Sequence, residues 1–280
     1  MRQTLSILLT AVFLIFLSGC DKSLQDDNLG GKGKLMISIT DDPFDINLVE
    51  SATVTITKVE IRRTGDGIPD GNPFMVLLED TLTFDLLDLR NGVTEELVNL
   101  EVPAGEYDLV RLYVDQASLV VKDYPEPFNV KVPSGKQTGI KIFIEPALRV
   151  EGGLTSELLL DVDLSGSFVI RGNLNHPETM NGFIFKPVIR AANLSTAGSI
   201  EGMVKDTADV KIVNAKVWVM QDTVVATAYT DTLGYYAFLG IPSGTYSVYA
   251  NKESYDTVEY NGVNVIEGNN TVLNFVLPPE

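Results

Sequence analysis

Cysteine, histidine and tryptophan each occur once in this chain of 280 residues. A single cysteine excludes an internal disulfide, so an exported form must be held by its apolar cores alone. A single histidine, His176 in the polar run LNHPET, excludes a paired-histidine metal site. No Gly-x-Ser-x-Gly elbow surrounds any serine, which removes the commonest sequence sign of a Ser-His-Asp hydrolase. Basic residues are scarce, 21 Lys and Arg against 38 Asp and Glu, for a net charge of −17. Phosphate backbones and anionic lipid headgroups are bound by clustered cations, so no nucleic acid partner is expected. Long apolar runs are missing too. The one candidate, Leu5–Leu17 (LSILLTAVFLIFL), has 13 residues and falls short of the roughly 20 that span a bilayer as a helix.

That run is instead the apolar part of a signal sequence, following the positive Arg2. It leads into Leu17-Ser18-Gly19-Cys20, which resembles the bacterial lipobox. The resemblance implies that residues 1–19 are a lipoprotein signal peptide and that the Cys20 thiol takes a diacylglycerol, with further acylation such as palmitate on the new amine. Two or three chains together hold a protein stably on a bilayer. The expected partner is therefore a membrane reached through a lipid anchor, and the expected location is the bacterial cell envelope, the outer membrane first. Residues 20–33 read as a lipidated flexible tether, polar and Gly-rich, averaging roughly 20 Å end to end as a coil.

Beyond the tether the hydrophobic period is two. Lys34–Thr40 (KLMISIT), Ala52–Arg62 (ATVTITKVEIR), Tyr107–Val114 (YDLVRLYV), Gly139–Ile144 (GIKIFI) and Ser156–Leu164 (SELLLDVDL) alternate and are rich in β-branched residues. Pro, Gly, Asn and Asp clusters separate them. The fold class is all-β, as two tandem antiparallel β-sandwich domains over 34–194 and 199–280, with 195–198 as the linker. Val102-Pro103-Ala104-Gly105-Glu106-Tyr107 and Ile241-Pro242-Ser243-Gly244-Thr245-Tyr246 share one form, aliphatic-Pro-small-Gly-x-Tyr. Pro sets φ, Gly relieves the corner, and Tyr can pack inward and hydrogen-bond nearby. The device reads as shared turn chemistry rather than as a repeat.

LLDLRNG (86–92), VPAGEYDLVRL (102–112), VKVPSGKQTGIK (130–141), LLLDVD (158–163) and KPVIR (186–190) follow one another in the order of a bacterial lipoprotein family. The first domain thus resembles the domain of unknown function 4382, a family with no assigned chemistry to carry over. IEGMV (200–204), NAKVWV (214–219) and the run from Thr230-Asp231 through Gly234, Tyr236, Phe238, Pro242 and Gly244 to Tyr246 resemble the carboxypeptidase regulatory-like family. That resemblance implies a transthyretin-like sandwich acting as a non-catalytic spacer or binding module. The proline that many members carry before the position of Asn214 is absent here.

Oxygen ligands are the only metal chemistry within reach. Asp66, Asp70 and Asn72 in DGIPDGN suit a hard cation, so calcium is the one cofactor considered, against an ordinary hairpin loop. Asp161 and Asp163 stand two apart on one strand, about 6.6 Å from each other on one face. They lie on one side of any substrate, whereas a glycosidase acid and base must flank the bond. A solvated polar face is the plain reading and calcium the alternative. Alternation also points Trp218, Tyr235 and Tyr249 away from the core. Exposed rings on a rigid sheet stack on sugars, serve protein interfaces, or pair across strands. The expected function is a membrane-anchored, non-catalytic binding or adhesion module for a carbohydrate or protein partner. A fimbria-like subunit that donates a strand is the alternative, and an enzyme or hydrolase accessory comes third.

Overall fold

The protein is described by a computed structural model that covers residues 31–42, 49–65, 73–122, 124, 126–133, 135–172 and 182–280. Nearly every described segment with alternating apolar and polar residues is a strand. In the first domain one sheet runs β12 (Val188–Asn193), β9 (Thr155–Asp163), β1 (Lys32–Asp42), β5 (Glu95–Pro103). Its partner sheet runs β3 (Phe74–Leu78), β2 (Val49–Arg63), β6 (Gly105–Val121), β7 (Phe128–Val130), with β4 (Leu82–Asp85) also on β2 and β8 (Ile140–Val150) on β6. A short ribbon, β10 (Phe168–Ile170) and β11 (Phe183–Phe185), closes one end. The only helical turns among the described residues are a 3-10 turn, Leu86–Leu89, and α1 (Leu164–Ser167), whose N-cap is Asp163.

The second domain has β13 (Ala197–Asp206) flanked by β16 (Tyr235–Pro242) and by β19 (Asn270–Val272) and β20 (Phe275–Leu277). Facing it is the sheet β15 (Val224–Tyr229), β14 (Lys216–Met220), β17 (Gly244–Asn251), β18 (Val258–Val265). Each sandwich has its own core. Leu35, Ile37, Ile56, Leu112, Leu148 and Leu158 are buried in one; Ile200, Val217, Tyr236, Val248 and Phe275 are buried in the other. The two sets share no residue, because each sheet turns its alternate β-branched side chains toward the sheet of its own domain.

Both domains use one connectivity, which the six-residue turn motif alone did not reveal. The first strand of each, β1 or β13, pairs antiparallel with the strand that ends in the Pro-x-Gly corner and parallel with a late strand. The chain crosses between sheets at that corner in both cases, from β5 to β6 and from β16 to β17. The registers also agree. Gly33 lies opposite Val102 and Gly105 opposite Val150; Gly198 lies opposite Ile241 and Gly244 opposite Val265. Lys34 pairs with Thr155 as Ser199 pairs with Asn270. Even the turn before the parallel strand repeats, with Gly153 N–H donating to Lys32 O at 3.0 Å and Gly268 N–H to Ala197 O at 2.8 Å. The reading of the corner as isolated turn chemistry is therefore corrected: it belongs to one sandwich topology used twice. The sandwiches are antiparallel as expected, except that in the two sheets holding β1 and β13 the first strand also pairs parallel on one side.

Candidate functional site

On β14 the alternation buries Val217 and Val219 and turns Lys216, Trp218 and Met220 to the outer face. Trp218 lies opposite Tyr249 on β17. Their rings stack with centroids 5.1 Å apart and planes 7° from parallel. The Lys216 ammonium lies 5.5 Å from the Trp218 ring centroid, within the range of a cation–π attraction. Tyr249 donates its hydroxyl to Glu259 on β18 at 2.7 Å, and that carboxylate holds the phenol above its ordinary range. Trp218 is therefore not a bare platform. It and Tyr249 form a ridge in which each ring spends one face on the other.

Along the ridge the face is polar but almost free of charge. Thr245 donates to Asn264 at 2.8 Å, Ser247 to Asn261 at 2.5 Å, and the Asn251 amide to Thr257 at 2.9 Å. With Tyr249–Glu259 these make four cross-strand pairs over β17 and the strand beside it. Lys216 and Glu259 are of opposite sign, so they cancel, in a chain whose net charge is −17. A neutral strip of hydroxyls and amides beside an aromatic ridge suits an uncharged, hydroxyl-rich ligand or a polar protein surface, since neither brings a charge that must be desolvated.

Tyr235 does not join this group. It is on β16, in the opposite sheet of the same sandwich, where its hydroxyl donates to Glu201 at 2.8 Å. Burial, with that hydrogen bond, pushes its pKa up to about 12. The expectation that three outward rings act together is corrected to two, because "outward" on two facing sheets means opposite directions.

The reading of Asp161 and Asp163 as a solvated pair is corrected as well. Asp161 is 8% exposed and accepts from Arg190 Nη2 at 2.7 Å. Burial raises its carboxyl above the ordinary range although Arg190 opposes the rise. Asp163 accepts from Gly166 N–H at 2.8 Å and caps α1. Arg190 also donates to the carbonyls of Gly240, at 2.7 Å, and Leu239, at 3.3 Å, on the second domain. Asp161 is thus part of the joint between the domains while Asp163 serves its own helical turn, and the joint is not legible in sequence because the partner carbonyls lie 49 and 50 residues from Arg190.

Cys20, His176 and the calcium candidates Asp66, Asp70 and Asn72 lie outside the described residues. Among the described residues no group of three or more His, Cys, Asp or Glu could hold a metal ion, and no helix is long and apolar enough to cross a membrane.

No curated protein matches the chain. Similar solved structures include a presumed carbohydrate binding protein of Bacteroides uniformis, 20% identical over 29% of this chain and 41% of that one, with a TM-score of 0.26. The chain thus spans 41% of that protein's length. The shaft pilin SpaA of Lactobacillus rhamnosus GG is 10% identical over 89% and 98%, with a TM-score of 0.25. The minor pilin GBS52 of Streptococcus agalactiae is 8% identical over 88% and 96%, also with a TM-score of 0.25. Scores this low carry no weight for function. Family models are decisive where the single structures are not: residues 199–278 match the carboxypeptidase regulatory-like domain, and residues 32–187, more than half of the chain, match the domain of unknown function DUF4382, the family to which this chain belongs.

Proposed function

We propose that the chain is a non-catalytic binding module, held at a bacterial membrane through lipidated Cys20, that engages a carbohydrate or protein partner with the outer face of β14, β17 and β18. The observation that carries this reading is the ridge of Trp218 stacked on Tyr249 within a strip of hydroxyls and amides whose two charges, Lys216 and Glu259, are of opposite sign. Aromatic rings supply much contact area at little conformational cost, and the polar strip supplies directional hydrogen bonds. Trp218→Ala removes half of the ridge. It is expected to abolish capture of ligands on a glycan array or by purified envelope proteins. The accompanying loss of stability should be modest, about 0.5–1.5 kcal/mol for the lost ring pair plus the burial of a half-exposed side chain. Binding that survives the substitution unchanged would sink this site.

The fimbria-like alternative predicts a missing strand, which leaves the sheet open to one donated by a neighbour. Among the described residues, β1 is paired on both sides by β5 and β9, and β13 by β16 and by β19 and β20. The binding reading is favoured on that ground. Salt-stable ladders of the purified protein in gel electrophoresis would reverse the preference.

A further inference from the structure

The shared topology marks a second place on the molecule. On the outer face of the first domain, Val76 of β3, Glu60 of β2, Arg111 of β6 and Lys141 of β8 lie side by side in register. Glu60 and Arg111 face each other across the two central strands as Trp218 and Tyr249 do in the second domain, and Lys58 precedes Glu60 by two residues as Lys216 precedes Trp218. The position is the same but the chemistry differs.

Glu60 is 4% exposed although it points away from the core. It is covered by Lys58 at 2.5 Å, the Tyr113 hydroxyl at 2.9 Å and Arg111 at 3.4 Å. Burial works against its charge, but the hydrogen bonds from Lys58 and Tyr113 and the charges of Lys58 and Arg111 outweigh it and hold the carboxyl below its ordinary range. This carboxylate is committed. Arg111 has its guanidinium carbon 3.6 Å from the Phe74 ring centroid, and its buried Nε has no hydrogen-bond partner. Lys141, exposed and directly opposite Arg111, makes no ion pair among the described residues.

Like charges directly opposite on neighbouring strands are destabilising. Here Lys58 and Arg111 share the one carboxylate of Glu60, and Lys141 stands opposite Arg111 on the far side from it, in a chain that has 38 acidic and 21 basic residues. Such a local break of the pairing rule is expected where a ligand completes it. Phe143, two residues from Lys141 on the same face of β8, is 59% exposed. The two side chains are about 6.6 Å apart along the strand.

We infer that this face of the first domain binds a carboxylate-bearing sugar unit, with the carboxylate received by the exposed Lys141 beside the positive charge of Arg111 and the ring laid on Phe143. The inference rests on the binding reading above but uses another domain and another ligand charge. A sugar is favoured over a protein surface because the centre of a protein interface is depleted of charge, whereas this row is charged and bordered by the bidentate Arg62–Asp108 pair, both bonds 2.8 Å. The acidic remainder of the chain repels a long polyanion, so short or sparsely acidic glycans fit best.

The test is calorimetric titration of the intact protein with tetragalacturonate, with its methyl ester, and with polyglutamate. Tetragalacturonate should bind, and the ester at least about tenfold more weakly, the scale of one charge-assisted hydrogen bond. Lys141→Gln and Phe143→Ala, both at exposed positions, should each lower affinity by a similar factor without moving the melting temperature. Trp218→Ala should leave this binding intact. Equal affinity for acid and ester, or indifference to Lys141→Gln, overturns the inference. Polyglutamate binding as tightly as tetragalacturonate, and with the same dependence on Lys141, overturns it in favour of plain charge attraction. Loss of tetragalacturonate binding in Trp218→Ala overturns it while sparing the ridge; loss of neutral-glycan binding alone in that variant leaves both standing.

Discussion

Tyr107 and Tyr246 show how one side chain fixes a change of sheet. Each ring is buried, and each hydroxyl donates to the proline carbonyl four residues earlier, Tyr107 to Pro103 at 2.6 Å and Tyr246 to Pro242 at 2.8 Å. The bond spans the corner where the chain leaves one sheet for the other. Deleting the hydroxyl removes the bond that ties the buried ring to the corner, and a typical intramolecular hydrogen bond contributes about 0.5–1.5 kcal/mol. Tyr107→Phe and Tyr246→Phe should therefore each lower stability by about 1 kcal/mol in denaturant melts, each in the transition of its own domain. If both substitutions shifted the same transition, the two cores would not be separate cooperative units. The same corner explains why the Tyr, rather than another aromatic, is readable in the sequence: the ring needs a core and the hydroxyl needs an acceptor.

At the scale of elements, the first strand of each domain has the most constrained surroundings. It is the central member of its sheet, with an antiparallel partner on one side and a parallel one on the other. Near its start the closing turn passes so close that only glycine fits. A Cβ on Gly33 would stand 2.3 Å from Glu151 O, and one on Gly198 would stand 2.5 Å from Ile266 O. Backbone cannot swing aside as a flexible side chain can, so the strand would have to move. Gly198→Ala is expected to cost about 1–3 kcal/mol, the range for overpacked sites, read as a lower midpoint for the second domain in urea. A neutral or stabilising result would mean that the turn at Ile266 yields freely. Gly33 and Gly198 are silent in sequence because nothing local distinguishes a glycine of close approach from one of an ordinary turn; the clash is with residues more than 65 positions later.

At the scale of the molecule the two sandwiches are joined by more than a linker. Arg190 bonds Asp161 within its own domain and two carbonyls of β16 on the other, and Leu159 is fully buried although it belongs to neither core. The sequence supports domains that unfold independently, whereas the joint supports coupling between them. Arg190→Met keeps the bulk of the stem and deletes the donors, leaving a buried Asp161 without its cation, an arrangement worth about 3–5 kcal/mol when a buried pair is broken. In scanning calorimetry the wild type should show transitions closer together than those of the variant, in which the second domain no longer gains from the first. Identical separation in both proteins would show that Arg190 transmits nothing.

Alternation of β-branched and polar residues sufficed to establish the all-β class, the paired sandwiches and the inward or outward sense of Trp218, Val217 and Tyr236, because strand periodicity is local and exact to one residue. Turn chemistry likewise marked the two corners. What neighbours whom across strands was not legible. That Tyr249 stacks on Trp218 while Tyr235 faces the other way, that Asp161 is capped by an arginine bound to the next domain, and that Glu60 lies beneath three cationic and phenolic partners all depend on register and sheet order. Those are set by long-range pairing of whole strands, in which the packing of many side chains decides at once and no single residue carries the signal.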